Sequence, residues 1–150
     1  MNTNNINSVK MQIIARMLAI CQPLIAEQKF LKVARVQTLF LLEPVKPALH
    51  LIVGDEKVLY QDERGYTMQF PVMFKLITED PDDGYTQADK AAAFVQTVIE
   101  ADEQLAGLAN KITYDGEMPF TEEVLKPAGG TVVMYLVEYR RYKAQPAQNY

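Results

Sequence analysis

The spacing of apolar positions along this chain changes period several times, and each change marks an element. Behind Ser8, a favoured N-cap, Val9, Ile13, Met17, Ile20, Cys21, Leu24 and Ile25 recur every three or four residues. They predict an amphipathic helix that Pro23 kinks or ends near Ala19, with a short turn continuing to Glu27. From Phe30 to Leu42 neither period is clean, and a strand over about Leu31–Thr38 is the reading, followed by extended chain through Glu43–Pro47. Ala48–Val53 reads as a strand ending at the turn signal Gly54-Asp55. Gly65 opens a long strand, Tyr66–Thr78. Tyr66, Met68, Phe70, Val72, Phe74 and Leu76 share one face, and Thr67, Gln69, Met73 and Lys75 the other. Such alternation marks an antiparallel strand with one buried face. Pro71 has no amide hydrogen to donate, so it should sit at a bulge or beside an unpaired edge.

In the second half, Thr86 and Asp89 read as a capping-box variant opening a helix. Its stripe is Ala91, Phe94, Val95, Val98, Ala101, Leu105 and Leu108, with Gly107 interrupting it near the end. A short strand at Lys111–Tyr114 follows, then a loop around Gly116 and Pro119 and an unassigned stretch, Phe120–Pro127. Gly129-Gly130 reads as a turn. Thr131–Tyr142 is the last strand, with Val133, Tyr135, Val137 and Tyr139 on one face and Glu138, Arg140 and Tyr142 on the other.

The order is α-β-β-β-α-β-β. It predicts an α+β two-layer sandwich: a mostly antiparallel sheet of four to five strands packed by two amphipathic helices, with a long protruding hairpin. Residues 1–7 read as a flexible N-terminal arm, 8–142 as a single domain and 143–150 as a flexible C-terminal tail. At 150 residues the chain is long enough for one core and shows no linker to a second. No apolar run is expected to reach the roughly 20 residues that cross a bilayer, so no membrane partner is assigned.

Chemistry-bearing residues are scarce. Ser8, Cys21 and His50 are each the only residue of their kind. Ser8 lies beside an Asn-rich start, a poor place for a nucleophile. Cys21 sits on a helix stripe, where a thiol is an inert small hydrophobe. One His and one Cys remote from each other make no zinc set. The run Glu79–Gly84 fails the calcium-loop spacing and reads as a solvated turn before a helix. Neither GxGxxG nor GxxxxGK[ST] occurs. No catalytic, cofactor-binding or metal-binding residue is therefore assigned, and the chain reads as a non-enzyme. Its net charge of -4 is the wrong sign for a sheath around nucleic acid, which would need a local basic patch.

The remaining candidates are contact surfaces. Asp55–Arg64 is a charged segment with three apolar residues in it, and it reads as a hairpin arm or an ordinary exposed loop. Val58, Leu59 and Tyr60, flanked by Glu56, Lys57, Asp62 and Arg64, are what a contact patch shows, with the charges fixing register. The alternative is that Leu59 and Tyr60 fold back on their own domain. Arg140, Arg141 and Lys143 beside Tyr139 and Tyr142 form one basic-aromatic cluster, suited to DNA in a lumen, an acidic neighbour, or simply solvent.

Ala101–Ala109, with Asp102, Leu105 and Gly107, resembles the helix end of tail terminator proteins of long-tailed bacteriophages and prophages. Val137-Glu138-Tyr139-Arg140 resembles the closing strand of the same group, and the upstream order of elements over roughly residues 9–142 fits it. Phe30–Leu42 and Phe120–Pro127 have no match in that group. The resemblance implies a structural role in the virion tail, with assembly in the host cytoplasm. A ring, usually of six subunits, caps the tail tube, stops its polymerisation and offers a surface to the head connector protein. Its partners would be copies of itself, the tail tube protein and the connector, with DNA only passing through a lumen. Three other readings stand beside it: a head–tail connector or neck protein, a small cytoplasmic enzyme using a carboxylate pair, and a dimeric interaction domain.

Overall fold

Ser8 starts the first helix: its side chain accepts from the Met11 amide at 3.1 Å. Helix α1 runs Val9–Cys21 and, past Pro23, a single turn α2 covers Leu24–Glu27. The computed structural model describes residues 8–36, 47–78, 84–123 and 127–143. The expected arm 1–7, the segments 37–46 and 79–83 with their predicted loop and turn, and the tail beyond Lys143 lie outside the described residues. The strands are β1 (Lys32–Arg35), β2 (Ala48–Val53), β3 (Lys57–Gln61), β4 (Gly65–Thr78), β5 (Lys111–Glu123) and β6 (Pro127–Tyr142), with α3 (Gly84–Glu100) between β4 and β5.

The strands form one mixed sheet ordered β1-β2-β4-β6-β5, with β3 also pairing β4. Only β1–β2 is parallel; the other pairs are antiparallel. The sheet has six strands rather than four or five, and it is open. Strand β4 is its spine. On one side it pairs β6 along its whole length, Gly65↔Tyr142 to Thr78↔Gly129. On the other it pairs β3 over Tyr66–Gln69 and then β2 over Val72–Ile77. Pro71 falls where β3 hands over to β2, and its carbonyl accepts from the Gly54 amide at 2.9 Å. N and C=O of one strand residue face the same side, so the missing donor of Pro71 falls in the gap between two pairing partners.

Alternation then decides the layers. Leu49 and Leu51, Phe70, Val72, Phe74 and Leu76, and Val133, Tyr135 and Val137 are neighbours on one face, and all are buried. Against them pack Ile13, Met17, Cys21 and Leu24 from the first two helices and Ala91, Val95 and Ile99 from α3. Phe74 and Tyr135 meet edge to face at 6.1 Å, and Phe70 and Tyr139 at 5.9 Å. The predicted α+β fold, helices on one side of a sheet, is the fold observed. The opposite face carries Ile52, Met73 and Met134 side by side across three strands, less polar than alternation in β4 alone implied.

Several local expectations need correction. The stretch Val9–Glu27 is long and apolar enough to cross a bilayer by length and composition, contrary to the sequence reading. Its inward stripe lies in the core with the sheet, as in a helix that packs one face on a domain, and Ile25 points outward. Helix α3 begins at Gly84, so Thr86 is inside it and not its cap. It ends at Glu100: Leu105, Ala106 and Gly107 all have positive φ, so the apolar stripe leaves the helix while Leu105 stays fully buried. Asp102 holds that turn, accepting from the Ala106 amide at 3.0 Å and from Arg16 Nε of α1 at 3.0 Å. Strand β5 does not stop at Tyr114, because a bulge between Tyr114 and Gly116 absorbs one residue and pairing resumes to Glu123. Gly129-Gly130 is not a turn but part of β6, opposite Thr78 and Ile77.

Candidate functional site

The candidate hairpin is a continuation of the sheet. Asp62 makes its turn: Oδ1 accepts from the amides of Arg64 and Gly65, both at 2.9 Å, and the Asp62 amide donates to the Gly65 carbonyl at 3.0 Å. The register of β3 shifts between Val58 and Tyr60, leaving Leu59 as the extra residue. All five residues of β3 are exposed, including Val58 (52%), Leu59 (44%) and Tyr60 (61%). They do not fold back on the domain. The arm is not free-standing, however, because β4 is flanked by β6 on its far side down to Gly65↔Tyr142.

The flanking charges are divided between two jobs. Glu56 faces inward: the Tyr139 hydroxyl donates to its carboxylate, and Lys10 Nζ of α1 lies 4.0 Å away. Burial and that carboxylate together push the Tyr139 hydroxyl well above the ordinary tyrosine range. Asp62 is held by the Arg140 guanidinium, which with the two turn amides keeps its carboxyl below the ordinary range. Glu56 and Asp62 thus fasten the hairpin to its own domain. Lys57 is exposed on β3 and Arg64 is exposed in the turn.

Arg140, Arg141 and Lys143 are not one cluster. Period two puts Arg140 on the helix-free face, opposite Thr67, where it meets Asp62 and lies 5.6 Å from the Tyr142 ring. Arg141, opposite Tyr66, and Lys143 flank the ring of that tyrosine at 5.1 and 5.8 Å. Tyr66 is the residue that sequence spacing missed here: it comes from β4, and only the register of β4 against β6 brings it to Arg141. Of the three, Arg141 and Lys143 have no carboxylate partner among the described residues.

Cys21 and His50 are separated by the sheet. Cys21 lies in the core beside the Leu49–Leu51 face, and burial pushes its thiol up to about 12; His50, between those leucines, points to the opposite face. Among the described residues no group of three or more His, Cys, Asp or Glu could hold a metal ion.

No protein-family model matches the chain, and no curated protein matches it in sequence. Among solved structures, it is similar to a chain of the virion of a native gene transfer agent particle, at 13% identity and a TM-score of 0.47, over 89% of this chain and 92% of that one.

Proposed function

We propose that this chain is a structural protein of a phage-derived particle, and within that class a tail terminator. It would assemble as a ring on the tail tube, stop tube growth and present a surface to the head connector protein, with DNA passing through the lumen. Its chemistry would be recognition and not catalysis. The observation that carries this reading is β3, a strand paired only to β4 among the described residues, with Val58, Leu59 and Tyr60 all exposed. An open, partly apolar strand edge pairs with another chain unless it is protected. On the opposite margin β5 pairs only β6 among the described residues, with Tyr114 and Met118 exposed. Two open margins of different sequence favour a heterologous contact, the kind that closes rings. The resemblance of Ala101–Ala109 and Val137–Arg140 to terminators supplies the particular ring.

The test is Leu59→Asp and Tyr60→Asp, each followed by light scattering over a concentration series, alone and with isolated tail tubes. Both side chains are exposed, so the monomer should fold normally and lose ring formation or tube binding. Variants that assemble like the wild type would take the contact surface away from the hairpin.

A further inference from the structure

Where α3 ends above β5 and β6, helix and sheet part to leave a cleft of about 250 Å³. Its lining includes Ile99, Glu100, Glu103, Ile112, Tyr114 and Tyr135. Tyr135 is 1% exposed, and its buried hydroxyl has no hydrogen-bond partner among the described residues. A hydroxyl left this way is costly, so the floor of the cleft holds unused hydrogen-bonding capacity. Tyr114 stands beside it, ring centroids 5.6 Å apart at 65°, and is exposed to solvent on its other side. Glu100 and Glu103 are both exposed at the cleft, and neither has an ion-pair partner among the described residues. Glu100 also acts electrostatically on the Tyr135 hydroxyl.

Two unpaired carboxylates, an accessible aromatic ring, an idle hydroxyl and apolar walls of Ile99 and Ile112 are the recognition set for a long cationic side chain. Its stem packs on the isoleucines and its head meets carboxylate and ring. Anionic ligands are repelled by the same groups. The chain carries the complement elsewhere: Arg141 is exposed and has no carboxylate partner among the described residues. It lies six positions beyond Tyr135 on β6, roughly 20 Å along the strand, too far for its own side chain to reach back. A contact between the two must therefore join different copies, and in a closed ring it does so head to tail. We propose that this cleft receives Arg141 of a neighbouring copy of the same chain, making Glu100, Glu103, Tyr114 and Tyr135 one half of the subunit interface. This rests on the ring reading above and names the contact within it.

Charge reversal separates the two ideas. Wild type, Glu100→Arg/Glu103→Arg, Arg141→Glu and the combination of all three are followed by light scattering over a dilution series, alone and with tail tubes. The reversed sites are exposed, and added positive charge suits the end of a helix, so folding is retained; thermal unfolding of each monomer checks it. Each reversal should raise the concentration at which the ring half-assembles about tenfold or more, and the combination should recover most of that loss. If the wild type assembles and the glutamate reversals assemble at the same concentration, the cleft is not in the contact, while the ring stands. A wild type that stays monomeric under all conditions removes the ring reading and this inference together.

Discussion

Asp62 and Arg140, 78 positions apart in sequence, share an ion pair that fastens the turn of the β3–β4 hairpin to the last strand. The same carboxylate holds the amides of Arg64 and Gly65. With the Arg140 contact as the largest cause, its pKa is lowered from the ordinary 3.8. A group depressed on folding contributes stability above its unfolded value and loses it as pH falls through the folded value. The turn should therefore be firm at neutral pH and loosen in acid, below about 3.8. Exchange of the Arg64 and Gly65 amides, corrected for intrinsic rates, should show protection that fades over that range. In Asp62→Asn the protection should be weaker and flat with pH. An unchanged profile in the variant would mean the carboxylate does not hold the turn.

Gly107, beyond the end of α3, and Gly130, within β6, are needed for different reasons. A Cβ on Gly130 would stand 1.8 Å from the Leu76 carbonyl oxygen, inside the β4–β6 ladder. A Cβ on Gly107, at φ +86°, would meet nothing within 4 Å among the described residues. Gly130→Ala should cost about 3 kcal/mol because backbone must move. Gly107→Ala should cost only the left-handed backbone term, about 1–2 kcal/mol. Urea unfolding of both variants would check the order, and an equal loss would contradict it.

The same pair shows where the sequence was legible. Long alternation in β4 and β6, and the helical spacing behind Ser8, mark faces that bury side chains, and those faces are the core. Gly129-Gly130 misleads because glycine signals a turn and a close backbone approach alike, and only the neighbouring strand distinguishes them. Leu105 misleads in the opposite sense: it keeps helical spacing and full burial, yet its backbone has left the helix. In the candidate site, apolar Val58, Leu59 and Tyr60 among charges were readable as a local pattern. The roles of Glu56 and Asp62 were not, because their partners Tyr139 and Arg140 come from the far end of the chain. The cleft under Glu100 joins a helix end to two strands and has no signature at short range.

The cap at Ser8 gives a smaller test. Ser8→Ala removes the side-chain acceptor for the Met11 amide and should cost about 1 kcal/mol, read as a lower urea midpoint with an unchanged slope. Ser8→Asp should restore it, since a carboxylate accepts the same bond and favours the start of a helix. Failure of the aspartate to recover stability would place the loss somewhere other than the cap.

Tyr135 and Tyr139 sit four residues apart on one face of β6, both buried, and differ in one respect. The Tyr139 hydroxyl donates to Glu56, whereas that of Tyr135 has no partner among the described residues. Removing each hydroxyl should therefore change stability in opposite directions. Tyr139→Phe gives up a bond to a charged acceptor and should lose about 1–2 kcal/mol. Tyr135→Phe relieves an unpaired buried group and should gain about 1 kcal/mol in the isolated monomer. If Arg141 of a neighbour enters the cleft, the gain reverses on assembly, because the hydroxyl then serves the contact. Denaturant melts of the dilute monomer and half-assembly concentrations of the ring, measured on the same Tyr135→Phe sample, would move apart. A variant that is less stable as a monomer would show that the hydroxyl is satisfied within its own chain, and the cleft would lose its floor.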